Sequence, residues 1–247
     1  MKTISLKIKR QDDPEDLPYW EIFDVEFKAG MTVATALRAV REKPVTADGN
    51  PTAPVVWETT CMEGMCGACA MIINGRVGLA CHTPVEDLSS PVVLEPLSKF
   101  PIVRDLKVDR QRMFDALERS RAWVGIDGVP GGGPAIRVSP EEHEGMKRFA
   151  SCIMCGACSE ACPQVNARSQ FAGAFLFSQT LPLLEHPIGR MGRGEKLDAL
   201  LQRGGISDCA GAEACEAACP KGIPLGESVA RLGWIATGHA IRRLFRG

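Results

Sequence analysis

Cys152-Ile153-Met154-Cys155-Gly156-Ala157-Cys158-Ser159-Glu160-Ala161-Cys162-Pro163 is the stretch that organises this sequence. Its spacing, C-x2-C-x2-C-x3-C-P, is one at which thiolates hold iron-sulfur clusters, and in two-cluster proteins the fourth cysteine ligates the other cluster. A second run must therefore exist. The same ruler laid from Cys209 falls on Cys209, Ala212, Cys215 and Cys219-Pro220, so the second run repeats the first with its middle cysteine lost. Crossing the fourth ligands gives Cys152, Cys155, Cys158 and Cys219 to one site and Cys162, Cys209 and Cys215 to the other. Four thiolates predict a 4Fe-4S cluster. Three thiolates, with the open corner facing the Ala212 methyl, predict a 3Fe-4S cluster.

Upstream, Cys61, Cys66, Cys69 and Cys81 stand as C-x4-C-x2-C-x11-C, whose opening is the plant-type spacing for a 2Fe-2S cluster. Such a site needs a loop that bends three thiolates around a small cluster and turns backbone N–H groups toward sulfur. Gly64 and Gly67 supply the bend, because glycine tolerates positive φ and close approach of the main chain. Cys81 then returns on the far side of Asn74-Gly75. Groups of four, four and three use all eleven cysteines of the chain. Structural zinc also takes four thiolates, but it pairs short C-x2-4-C knuckles, and neither the x4-x2-x11 group nor the two C-P terminators divides that way. His82 follows Cys81, but a Rieske centre needs two histidine ligands and no partner is offered.

The composition fits this metal reading and excludes others. The 247 residues are 45% hydrophobic and 24% charged with a formal net charge of -1, so nothing points to nucleic acid. Met1 to Asp16 carries a charge every few residues and lacks the apolar core of a secretory signal. The chain is expected in the cytoplasm, where thiols stay free and a disulfide framework is a poor account of the cysteines. Ser169 to Leu184 is the longest stretch without charge and falls short of the roughly 20 apolar residues of a membrane span.

The first hundred residues read as mixed β with one helix. Ile4, Leu6 and Ile8 alternate with polar neighbours, as do Phe23, Val25 and Phe27, each as a half-buried strand. Thr32 caps a helix that carries Val33, Leu37 and Val40 on one face and stops before Pro44. Asn74-Gly75 predicts a type I′ hairpin, and a short strand is expected at Val92 to Leu94. From about Asp109 the period turns helical, with Met113 and Leu117 on one face, which marks a domain boundary near 103–110. Gly125 to Pro134 reads as a loop. Ser139-Pro140-Glu141-Glu142 opens a helix with an N-cap, Pro at N1 and a capping-box acid. Further helices are expected over Glu195 to Gln202, ended by Gly204, and from Leu225 onward. The apolar run Phe171, Phe175, Leu176 and Phe177 reads as core before it reads as a contact surface. Arg242, Arg243 and Arg246 make a basic chain end, either solvated or near anionic headgroups.

Taken together, Cys61 to Cys69, Phe100-Pro101-Ile102-Val103-Arg104-Asp105-Leu106, Cys152 to Pro163 and Cys219-Pro220-Lys221-Gly222-Ile223-Pro224 closely resemble the iron-sulfur subunit of the succinate dehydrogenase and fumarate reductase family, respiratory complex II, over nearly the whole length. The resemblance implies an α+β chain: a β-grasp ferredoxin domain for the 2Fe-2S cluster at 1–105, then an α-helical, bacterial-ferredoxin-like domain for the 4Fe-4S and 3Fe-4S clusters at 106–247. It implies an electron-transfer subunit of a succinate:quinone oxidoreductase with no catalytic side chain of its own. Its expected partners are a flavoprotein with covalent FAD and a membrane-anchor cytochrome b subunit carrying haem b and the quinone site. Its expected place is peripheral, on the cytoplasmic face of the cell membrane. Related complexes commonly lack the plant-type group or append further cysteine-rich repeats, and this chain does neither. Ubiquinone-reducing members carry Trp and His where this sequence has Ala167 and Ala210, so the resemblance is to the menaquinone-linked branch with a single dihaem anchor.

Overall fold

The computed structural model describes residues 2–124, 137–189 and 192–245. The chain divides into two compact units, Met1–Arg110 with Ile153–Glu160, and Gln111–Cys152 with Ala161–Gly247. The loop expected at Gly125 to Pro134 lies outside the described residues.

In the first unit β1 (Thr3–Arg10), β2 (Tyr19–Glu26), β3 (Ala70–Ile73), β4 (Arg76–Leu79) and β5 (Val92–Glu95) form one sheet in the order β2-β1-β5-β3-β4. β1 runs antiparallel to β2 and parallel to β5, while β3 runs antiparallel to both β4 and β5. The expected alternation holds for Ile4, Leu6 and Ile8 of β1 and for Phe23 and Val25 of β2, all buried, whereas Phe27 lies past the end of β2 and is half-buried. Each buried side chain contributes about 1.5–3 kcal/mol relative to exposure. Helix α1 (Val33–Glu42) packs on β2 and buries Val33, Leu37 and Val40. Its start is fixed by Thr32, whose Oγ1 accepts from Thr35 N at 3.3 Å while Thr35 Oγ1 accepts from Thr32 N at 2.9 Å. Asn74 and Gly75 join β3 to β4 with φ of 46° and 77°, the positive pair that a type I′ turn requires.

The alternation of β1 continues into a charge. Arg10 is fully buried and donates through Nε to Asp105 Oδ1 at 2.8 Å and through Nη2 to Ala53 O at 3.1 Å, with Glu21 on Nη1. Asp105 also accepts from Gln11 N at 3.1 Å and Val56 N at 2.8 Å. It turns a small hairpin of β6 (Ile102–Arg104) and β7 (Lys107–Val108) with a φ of 47°.

Beyond the sheet the chain is helical: α2 (Gln111–Arg119), α3 (Pro140–Ala150), α4 (Ala157–Ala161), α5 (Ala174–Glu185), α6 (Arg193–Leu200), α7 (Ala214–Ala217) and α8 (Leu225–Leu244). Ser139 caps α3 with the expected box, its Oγ accepting from Glu142 N at 3.1 Å. In the second unit α5 packs against α3 and α8, and α6 packs against α8. Phe171, Phe175, Leu176 and Phe177 are core residues here. Among the described residues, no helix is long and apolar enough to cross a membrane. Arg243 pairs with Asp198 at 2.6 Å, and Arg246 lies outside the described residues.

Candidate metal centres

The plant-type loop is built by left-handed backbone. Gly64 and Gly67 have φ of 67° and 74°, and Met62 takes 59°, so the chain coils between Cys61 and Cys69. At Gly67 a side chain has no room: a Cβ there would lie 2.6 Å from Ile153 O and 2.8 Å from Cys155 Cβ. Glycine is thus required both for the turn and for close passage of the loop past the returning segment of the same unit. A Cβ at Gly64 would sit 3.5 Å from His82 Nδ1, which places the imidazole against the loop.

The three thiols of this loop and that of Cys81, in the turn after β4, fall into two pairs. Cys66 hydrogen-bonds Cys61, and Cys69 Sγ lies 3.3 Å from Cys81 Sγ. Two pairs of thiolates are what two irons need, two ligands each. Backbone N–H groups point at the sulfurs as a cluster site demands: Glu63 N and Met65 N donate to Cys61 Sγ at 3.4 and 3.3 Å, and Gly64 N donates to Cys81 Sγ at 3.3 Å. Those of Glu63 and then Met65, with the Cys66 thiol, pull the Cys61 thiol down to about 7. Burial, with Cys81 alongside, pushes the Cys69 thiol up to about 12. A buried thiolate there needs a metal to neutralise it.

In the second unit Cys162, Cys209 and Cys215 line one cavity of about 170 Å³ together with Ala210, Ala212 and Phe171. Burial raises the Cys215 thiol, and the nearby Cys162 and Cys209 raise it further. Three thiols gathered in one alanine-lined cavity, with burial and two neighbouring thiols disfavouring the Cys215 thiolate, are a fitting donor set for a cluster. Ala212 lines that cavity, at the position where the repeated spacing calls for a cysteine. Cys155 and Cys158 are buried and Cys152 and Cys219 half-buried; their assignment to one cluster rests on spacing. Sequence reasoning missed Arg110, which donates to Ala68 O in the loop at 3.1 Å. A lone arginine outside any motif gives no signal.

Residues 5–115 match the family model of the 2Fe-2S iron-sulfur cluster binding domain, and residues 148–223 match that of the 4Fe-4S dicluster domain. The chain is 41% identical to a succinate dehydrogenase iron-sulfur subunit of Bacillus subtilis, over 99% of this chain and 96% of that protein. It is 30% identical to a fumarate reductase iron-sulfur subunit of Mycobacterium tuberculosis, over 99% and 97%. Its fold is similar to that of a chain in the Mycobacterium smegmatis Sdh1 complex in the apo form, with a TM-score of 0.78, 23% identity and 96% of each chain covered.

Proposed function

The chain belongs to the iron-sulfur subunits of succinate dehydrogenase and fumarate reductase, and from that premise we propose that it is the electron-transfer subunit of a complex II whose ligand sets are those read from its cysteines. Cys61, Cys66, Cys69 and Cys81 hold the 2Fe-2S cluster; Cys152, Cys155, Cys158 and Cys219 hold the 4Fe-4S cluster; Cys162, Cys209 and Cys215 hold the 3Fe-4S cluster. The proposed cluster-binding domains are 1–105 and 106–247. When bound, the clusters supply reversible one-electron transfer, with an FAD-containing flavoprotein at one end and, through haem, menaquinone in a cytochrome b anchor at the other. The peripheral position on the cytoplasmic face of the membrane follows from such an anchor.

The chain's own residues do three things. Thiolates ligate, N–H groups of Glu63, Gly64 and Met65 oppose the negative charge on sulfur, and burial of Cys69, Cys81, Cys155, Cys158 and Cys162 excludes water. The observation that carries the reading is the pairing of four thiols under backbone donors in the first unit. Anaerobically purified protein is expected to hold about nine iron atoms per chain, with a 3Fe-4S EPR signal when oxidised and a 2Fe-2S signal on reduction. Stoichiometric zinc in place of iron would falsify it.

A further inference from the structure

Arg110 is the last residue of the sheet-containing stretch of the first unit, and its side chain is only 13% exposed. Nη1 meets Glu58 Oε2 at 2.5 Å and Nη2 donates to Ala68 O at 3.1 Å, while Nε is buried with no hydrogen-bond partner. Glu58 precedes Cys61 by three residues and Ala68 immediately precedes Cys69. The guanidinium therefore ties the approach to the ligand loop to its far end. Two separated partners at fixed angles suit the planar fork of arginine, and a lysine would reach them as a point charge.

We propose that Arg110 is a positioning residue of the 2Fe-2S site that also favours the reduced state of the cluster through its charge. The proposal rests on Cys61, Cys66, Cys69 and Cys81 being the ligands. A cluster held by four thiolates is anionic and becomes more so when it takes up one electron, so a nearby cation stabilises the reduced form more than the oxidised one. Glu58 opposes this, but its carboxylate is 32% exposed against 13% for Arg110, and solvent screens the more exposed charge more strongly. The guanidinium also bonds the ligand loop itself.

The test is an EPR-monitored redox titration of the assembled complex carrying Arg110→Gln, Arg110→Lys or Glu58→Gln, with cluster content measured by spin quantitation. Arg110→Gln is expected to make the 2Fe-2S cluster roughly tenfold harder to reduce, a fall of about 59 mV for a single electron. Arg110→Lys should restore most of that shift, and Glu58→Gln should move the potential upward. The other two clusters should keep their potentials. A cluster-loaded Arg110→Gln complex with an unchanged potential overturns the proposal, as does an equal fall in Arg110→Lys. Should Arg110→Gln fail to load, Glu58→Gln decides: no rise overturns the proposal, and a rise supports it. Absence of any 2Fe-2S signal from the wild-type complex overturns the ligand assignment and the proposal together.

Discussion

One methyl group distinguishes the second cysteine run from the first. Ala212 stands where the repeated spacing calls for a thiolate, and it lines the cavity shared by Cys162, Cys209 and Cys215. Ala212→Cys is expected to let a fourth iron bind, so that the 3Fe-4S signal of the oxidised protein loses most of its intensity and the potential of that cluster shifts downward. An undiminished 3Fe-4S signal in a folded, loaded variant would show that this corner is closed for another reason. The proposed ligands stand out in the sequence because cluster chemistry imposes short, fixed spacings. Arg10, Asp105 and Arg110 were not legible. Arg10 and Asp105 meet across 95 positions, Arg110 and Ala68 across 42, and no local period or spacing encodes such meetings.

Elements differ in the same way. Helices α1 and α3 could be read because Thr32 and Ser139 announce their first turns with reciprocal side-chain bonds. Helix α5 could not be read as a helix, because Phe175, Leu176, Phe177, Ser178, Thr180, Leu181 and Leu184 are all buried and a helix enclosed on nearly every side shows no 3.6-residue stripe. Its hydroxyls satisfy themselves inside: Ser178 Oγ donates to Phe175 O at 2.9 Å and Thr180 Oγ1 to Leu176 O at 2.8 Å. At this scale the Arg10–Asp105 pair joins the end of β1 to the β6-β7 hairpin and to the strap at Ala53 and Val56. Asp105→Ala leaves a buried guanidinium short of its carboxylate and removes the acceptor for two backbone N–H groups. The expected loss is about 3–5 kcal/mol, read as a lower denaturation midpoint of the cluster-loaded protein. A midpoint within error of the wild type would show that the pair does not hold these pieces together.

For the whole molecule the proposed route out of the subunit turns on two alanines. Ala210 lines the cavity of the three-cysteine site and Ala167 is exposed, and neither side chain can donate a hydrogen bond to a quinone. The assembled complex is therefore expected to contain haem and to turn over with menaquinone in preference to ubiquinone. A quinone analogue lying against Ala167 or Ala210, or a complex without haem, would refute that route. The two compact units also interleave along the chain. Ile153–Glu160 belongs with Met1–Arg110, where Ile153 and Cys155 close over Gly67, and a Cβ on Gly156 would lie 3.0 Å from the Phe100 ring. A ribosome delivers the N-terminus first, so the sheet and its cysteine loop emerge while their covering segment is still inside the exit tunnel. The first unit is a fold that synthesis leaves open until Glu160 has been released, and its last wall is supplied by the chain that has meanwhile begun the second.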